Sequence, residues 1–303
     1  MRVAERSCII FGERGEGLVY LDTFRLPGLD ARERFVNNIK RTCYTTVYPF
    51  DLFALREMPA FRFEPITIFY GGNGSGKSTL LNVIAERIGI AHGTVYNRSS
   101  FFEEYVQLCD FDLRGNRRAV LDGKIITSDD VFDYLLNIRC LNENIDNKRE
   151  DLLEEYRQTR KEGYTFKSMA DYEDLKRFTD AWRQTKSGYV RKRLMNNAPE
   201  KSNGESALMY FTENIQENAV YLLDEPENSL SAEKQLELKQ FLLDSARFYG
   251  CQFIIASHSP FILSVPGAKI YDLDSEPIQT KRWTELENVR TYFDFFMEHR
   301  NDF

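Results

Sequence analysis

Two stretches of this 303-residue chain hold residue types at spacings that chemistry requires. The first is Gly71-Gly72-Asn73-Gly74-Ser75-Gly76-Lys77-Ser78-Thr79, which satisfies the pattern GxxxxGK[ST]. Its glycines let successive backbone N–H groups turn inward as a nest for an anion, backed by the N-terminus of a following helix. Lys77 would then reach the β- and γ-phosphates of a nucleotide, and the Ser78 hydroxyl would ligate Mg2+. The second is Tyr221-Leu222-Leu223-Asp224-Glu225-Pro226, an apolar run that ends in two carboxylates. At the tip of a strand, Asp224 would hold Mg2+ directly or through water, and Glu225 would polarise an attacking water as general base. Asp-Glu-Pro is also an ordinary solvated turn after a strand. The phosphate loop upstream is what favours the chemical reading.

Both motifs need scaffolding of a particular kind. Residues 65–70 (PITIFY) form a short β-branched run directly before the glycines, and LLNVIAERIGI after them has helical spacing. Strand, glycine loop and helix open a βαβ unit. Ala219–Leu223 and Gln252–Ala256 are nearly continuous apolar runs, as expected for parallel strands covered on both faces. Between them AEKQLELKQFLLDSARFYG reads as an amphipathic helix closed by Gly250. A last strand is expected at 269–273 and a helix near 283–299. Residues 7–24 carry two β-like runs around GERGEG, which reads as an antiparallel hairpin. Residues 128–200 are polar and charged without a good strand. The expectation is an α/β fold of the P-loop NTPase type, one domain over 1–303. It has a central, mainly parallel sheet, an antiparallel β subdomain and a helical insertion at 128–200.

Composition narrows the classes. Apolar residues make up 42%, charged residues 29% and aromatics 14%, which is globular and not disordered. A formal net charge of −7 argues against a general nucleic-acid coat. Five widely spaced cysteines (Cys8, Cys43, Cys109, Cys140, Cys251) without a CxxC pair read as reduced thiols, neither a disulfide framework nor a zinc site. No secretory leader and no membrane-length apolar run is visible, so a cytoplasmic, membrane-free chain is expected.

Three further segments extend the pattern. Ser202-Asn203-Gly204-Glu205-Ser206 opens a helical run shortly before the Asp-Glu strand; Ser229-Leu230-Ser231 follows that strand; Ala256-Ser257-His258-Ser259-Pro260 follows the next. In order and spacing, and with the Walker A and Walker B motifs above, the whole resembles the ABC-type ATPases. It is most similar to their soluble branch: SMC and recombination ATPases and stand-alone bacterial "AAA family" ATPases, including those of phage defence. The resemblance is strong over about 60–95 and 200–275. It implies ATP and Mg2+ as cofactors, and two copies that sandwich two ATPs head to tail. Each ATP would meet residues 71–79, Lys77 and Ser78 among them, and Asp224 of one copy, with Ser202, Gly204 and Glu205 of the other. Glu225 would be the base and His258 the γ-phosphate sensor. The SNGES segment departs from the family's LSGGQ loop in its second glycine and its final glutamine. The family's metal-side glutamine would be Gln107, or its connection would fall at Arg98-Ser99-Ser100. Its adenine-stacking aromatic would be Tyr44, Tyr48 or Phe50, residues that suit core packing as well.

The segment Lys176–Lys201 carries eight basic residues (Lys176, Arg177, Arg183, Lys186, Arg191, Lys192, Arg193, Lys201) against Asp180 and Glu200. That local excess reads either as a solvated helical face or as a surface for nucleic acid or an acidic partner. Two functions therefore compete: an ATP-dependent homodimer that drives an effector protein such as a nuclease or toxin, and a nucleic-acid clamp in repair or phage defence. A small-molecule kinase has no use for the later motifs. Steeply salt-dependent DNA binding, lost when Arg191, Lys192 and Arg193 are replaced, is the outcome the clamp requires in a filter-binding assay.

Overall fold

The computed structural model describes residues 17–38, 46–54, 56, 58–115, 121–161, 172–198 and 202–302. Two compact units divide the chain: residues 1–131 with 207–303, and residues 132–206. The first unit holds two sheets. In the larger, strands run in the order β5 (Gly123–Thr127), β6 (Val220–Asp224), β7 (Gln252–Ala256), β3 (Ile66–Tyr70), β8 (Lys269–Asp272) and β9 (Gln279–Thr280). All pairs are parallel except β8 with β9. The smaller sheet is antiparallel, with β1 (Leu21–Arg25) between β2 (Phe61–Arg62) and β4 (Asp110–Leu113).

The central strands are buried along their length, β3 and β7 at every residue. This is why their sequences run apolar without alternation. Phe69, Leu80, Leu81, Ile84, Leu222 and Ile254 belong to one core that continues into Leu21, Phe24, Phe61 and Tyr105. Gln252 is the exception within β7: it is fully buried and joins the two sheets. Its Oε1 accepts from the N–H groups of Tyr20 and Leu21, each at 2.9 Å, and its Nε2 donates to Leu21 O at 2.9 Å. A buried amide satisfied on both ends is stable where an unpaired one costs about 1–3 kcal/mol.

Helices of the first unit are α1 (Leu29–Asn38), α2 (Phe50–Phe53), α3 (Lys77–Ile88), α4 (Phe102–Leu108), α9 (Ala232–Phe248), α10 (Pro260–Leu263) and α11 (Glu287–Glu298). α5 (Ser128–Lys161) leads into the second unit and α8 (Asn203–Asn214) out of it, with α6 (Tyr172–Arg183) and α7 (Lys186–Arg191) between. That unit packs Leu152 and Tyr156 of α5 against Ala181, Tyr189 and Val190. Among the described residues no helix is long and apolar enough to cross a membrane. The expected strands at 65–70, 219–223, 252–256 and 269–273 and the helix after the glycines are present. Of the expected hairpin, residues 7–16 lie outside the described residues, and its second run becomes β1. The C-terminal helix starts later than expected, at Glu287. Leu286 before it is fully buried in extended backbone, and a 3-10 turn at Trp283–Glu285 precedes it. β4 and β5 had no expectation.

Parallel topology places the loops after β3, β5, β6 and β7 at one edge, where open α/β sheets bind ligands. Gly123 is needed for that register, because a Cβ there would lie 2.0 Å from the Val220 carbonyl oxygen. Gly123→Ala is therefore expected to cost about 2–4 kcal/mol. A urea melt that leaves the midpoint unchanged would show that β5 does not depend on this approach.

Candidate functional site

Residues 71–76 turn from β3 into α3 with Gly74 at φ +83° and Gly76 at φ +97°, conformations that side chains with a Cβ rarely adopt. A Cβ on Gly71 would meet Ser75 Oγ at 2.5 Å, so that loop is closed as tightly as glycine permits. Lys77 begins α3, is 5% exposed, and donates from Nζ to Gly71 O at 2.8 Å and Gly72 O at 3.0 Å. Ser78 Oγ donates to Asp224 Oδ1 at 3.0 Å, joining the first turn of α3 to the tip of β6.

β7 lies between β3 and β6, with Ala256 in register with both Phe69 and Asp224. The loop after β7 therefore enters between the other two loops. Glu225 N–H donates to Ala256 O at 2.9 Å, extending the ladder by one residue, and Glu225 then turns to φ +47°. A glutamate held in the left-handed region marks a place where surrounding structure dictates the backbone. Its carboxylate faces three groups. Lys77 Nζ is 3.9 Å and His258 Nδ1 3.8 Å from Oε1, and Asn228 Nδ2 donates to Oε2 at 3.1 Å. Asp224 has its carboxyl pushed up to about 6, first by burial and then by the Glu225 and Glu227 carboxylates, against the Ser78 hydrogen bond and Lys77.

The structure thus brings together Lys77, Ser78, Asp224, Glu225 and His258 with the glycine loop. Thr79 Oγ1 hydrogen-bonds Tyr48 OH at 2.7 Å. Gln107 is not brought to this cluster: it is exposed on α4, and among the described residues no hydrogen bond joins it to Ser78 or Asp224. Arg98 is occupied with Glu86 at 2.7 Å, and Ser99 Oγ donates to Tyr48 O. The residue in register with Asp224 on its other side is Thr127, at the end of β5. Of the three aromatics, Phe50 is fully buried and stacked on Phe35 at 4.3 Å, Tyr48 is half-buried, and Tyr44 lies outside the described residues.

Ser202, Gly204 and Glu205 belong to the second unit. Ser202 Oγ accepts from Glu205 N at 3.3 Å while Glu205 Oε2 accepts from Ser202 N at 3.0 Å, a capping box at the start of α8. In the basic segment, Arg193 pairs with Asp180 at 2.8 Å and lies 3.8 Å over the Tyr189 ring. Lys192 also reaches Asp180, at 3.6 Å, and Arg177 pairs with Asp174. Arg193 is therefore part of the packing of that unit. Sequence reasoning missed Glu227, buried beside His258, and Asp274, whose Oδ2 accepts from Gly72 N at 2.6 Å. Glu227 stands in the DEPEN run, where a second acid two residues after Glu225 was the available signal. Asp274 had none, since its role depends on β8 lying next to β3.

Among the described residues no group of three or more His, Cys, Asp or Glu side chains forms a metal cage. Ser78 and Asp224, a hydroxyl beside a carboxylate, are hard-oxygen groups of the kind that would suit Mg2+.

The family model of ABC transporters matches residues 61–228, more than half of the chain. A second model, described as "AAA domain, putative AbiEii toxin, Type IV TA system", matches residues 197–264. No curated protein matches the chain. Similar solved structures include the Smc head domain with an extended coiled coil bound to the C-terminal domain of ScpA, from Pyrococcus furiosus. It is 13% identical over 93% of this chain and 100% of that one, with a TM-score of 0.43. Another is a dimeric ATP-binding cassette in a post-hydrolysis state bound to ADP and Pi, 12% identical over 89% and 99% of the two chains, with a TM-score of 0.36.

The raised Asp224 carboxyl has a stability consequence. The folded state holds the proton more tightly than the unfolded chain, so ionised Asp224 destabilises the fold increasingly from pH 4 to 6, and fully above that. In Mg2+-free buffer at pH 8, Asp224→Asn is expected to stabilise the protein by about 1–2 kcal/mol, discounted for the solvent that still reaches the strand tip. The gain should vanish below about pH 4. A thermal melt in which the gain is absent at pH 8 would refute the burial argument.

Proposed function

The chain belongs to the ABC transporter family, and on that premise we propose that it binds Mg·ATP and hydrolyses it, using ATP to hold two copies together. The convergence of Lys77 and His258 on one oxygen of Glu225, at 3.9 and 3.8 Å, carries this reading. Residues 71–79 would cradle the phosphates, and Lys77 would leave its carbonyl partners for the β- and γ-phosphate oxygens. Ser78 and Asp224 would hold Mg2+, which neutralises charge on the phosphates when bound. Glu225 orients the attacking water and takes its proton; the cation beside it is placed to lower the cost of charge at the transferring phosphoryl group. His258, beside Glu225, would sense the γ-phosphate.

In this reading Ser202, Gly204 and Glu205 serve the ATP of the second copy, and residues 128–200 are a helical insertion in one ATPase domain. The capping box fixes the start of α8, and the Ser202 hydroxyl and Glu205 N–H, now paired with each other, would have to turn to that ATP. ATP then acts as an adhesive, hydrolysis separates the copies, and the open–closed cycle switches a partner protein in the cytoplasm. A protein partner is favoured over nucleic acid by the surface beside the site. A cavity of about 720 Å³ adjoins His258 and Ser229 and is walled by Trp283, Tyr292 and Phe293, all exposed. Exposed aromatic surface of this kind marks protein contacts. The basic segment, by contrast, has Arg177, Lys192 and Arg193 engaged with acids.

Glu225→Gln is expected to lower the hydrolysis rate by about 10²–10⁴-fold. Light scattering on that variant should show a doubled mass with Mg·ATP and the single-chain mass without it. ATP binding with no change of mass would remove the second copy from the mechanism.

A further inference from the structure

Glu227 performs none of the steps above, yet it is 6% exposed and sits between the two loops that meet at the site. The other buried carboxylates have evident partners: Asp272 pairs with Lys281 at 2.6 Å, and Asp130 accepts from Thr127 N at 2.8 Å. The basic side chain beside Glu227 is His258, with Nδ1 3.6 Å from Oε1. That same oxygen accepts from Ser257 Oγ at 2.8 Å, His258 N at 2.9 Å and Ser259 N at 3.1 Å. Oε2 is buried with no hydrogen-bond partner. A carboxylate whose second oxygen is left buried and unpaired is costly, and such groups are retained where they hold something in place.

The contacts continue beyond the carboxylate. Ser259 Oγ donates to Gln235 Oε1 at 2.6 Å, and Gln235 Nε2 donates to Leu230 O at 2.9 Å. Leu230 follows Ser229, which has φ +67°. One hydrogen-bond network therefore runs from Glu227 through Ser259 and the half-buried Gln235 to the loop 229–231. We infer that Glu227 is a positioning residue: it clasps the 257–259 backbone so that the His258 ring faces Glu225, while Ser259, through Gln235, ties the clasped loop to residues 229–231. The inference rests on the ATPase reading for its effect on hydrolysis, and on geometry alone for the clasp.

Two measurements test it. In hydrogen exchange without nucleotide, the amides of His258 and Ser259 should exchange at least about tenfold faster in Glu227→Ala than in the wild type. In steady-state hydrolysis, Glu227→Ala should lower kcat by about 10- to 100-fold, the usual effect of removing an outer partner of a functional side chain. The Kd for a non-hydrolysable Mg·ATP analogue should change by less than about threefold. The isosteric Glu227→Gln, which keeps the acceptor oxygen, should recover most of kcat. In a His258→Ala background, Glu227→Ala should add less than about a twofold loss, because both act through one group.

Unchanged exchange at both amides would overturn the clasp. Losses that multiply with His258→Ala, or a Gln variant as slow as Ala, would overturn its action through His258. A wild-type chain that binds ATP without hydrolysing it would overturn the ATPase reading instead, and the exchange result would still decide the clasp.

Discussion

The hydrogen bond from Ser78 to Asp224 joins two segments 146 residues apart, and the site exists only where they meet. Each end is set by a separate local rule. Ser78 lies in the first turn of α3 because Gly76, at φ +97°, starts the helix there. Asp224 stands at the end of β6 because four buried apolar residues precede it and the chain must then leave the sheet. What brings them together is the strand order, with β7 between β6 and β3. Moving β6 by one residue along β7 would turn Asp224 to the other face and carry Glu225 out of reach of Lys77. The Glu225 N–H bond to Ala256 O, one residue past the strand, is the contact that pins this register at its open end.

How much of this was legible in the chain follows from range. The glycine loop, the Asp-Glu pair, strands β3, β6, β7 and β8 and helix α9 are written in contiguous residues, so pattern alone locates them. β5 escaped notice because Gly123-Lys124-Ile125-Ile126-Thr127 is short and lies beside a long polar stretch. Its identity as a strand comes from pairing with β6, 97 residues later. The metal-side glutamine shows the same limit. Gln107 is the right residue type in the right interval, whereas the position beside Asp224 is set by sheet register and holds Thr127. Phe50 illustrates a different one. Its ring is taken up by Phe35 and Tyr105, partners that no local pattern names.

Charge in the helical unit repeats the lesson in electrostatic form. Counted along the sequence, Lys176–Lys201 is a basic run. In space, Asp180 accepts both Lys192 and Arg193, and Arg193 lies over Tyr189 within a cluster formed with Tyr156. An arginine stem and its planar head cover aromatic surface as well as carrying charge. Removing Arg193 would therefore disturb packing before it reported on any partner. Lys186 and Arg191, which line a groove of about 400 Å³ with Leu153 and Val190, are the better probes of a surface role.

Several strained and underpaired groups of the first unit lie around the carboxyl edge of its larger sheet. Glu225 and Ser229 hold positive φ, Asp224 is a carboxyl raised by burial, and Glu227 leaves an oxygen unpaired. Each is unfavourable alone, by about 1–3 kcal/mol for backbone in the left-handed region and by a similar amount for a buried unpaired oxygen. A fold selected only for stability would lose them first, since Asn at 224 and Gly at 225 satisfy the same backbone. Their cost is tolerable because β3, β6 and β7 form a continuous buried core beneath them. The core also keeps the groups from relaxing, so that an ammonium and an imidazole each stay within 4 Å of one carboxylate oxygen. Rigid support for unstable chemistry is what the parallel sheet supplies, and the loops at its carboxyl edge are where the chain uses it.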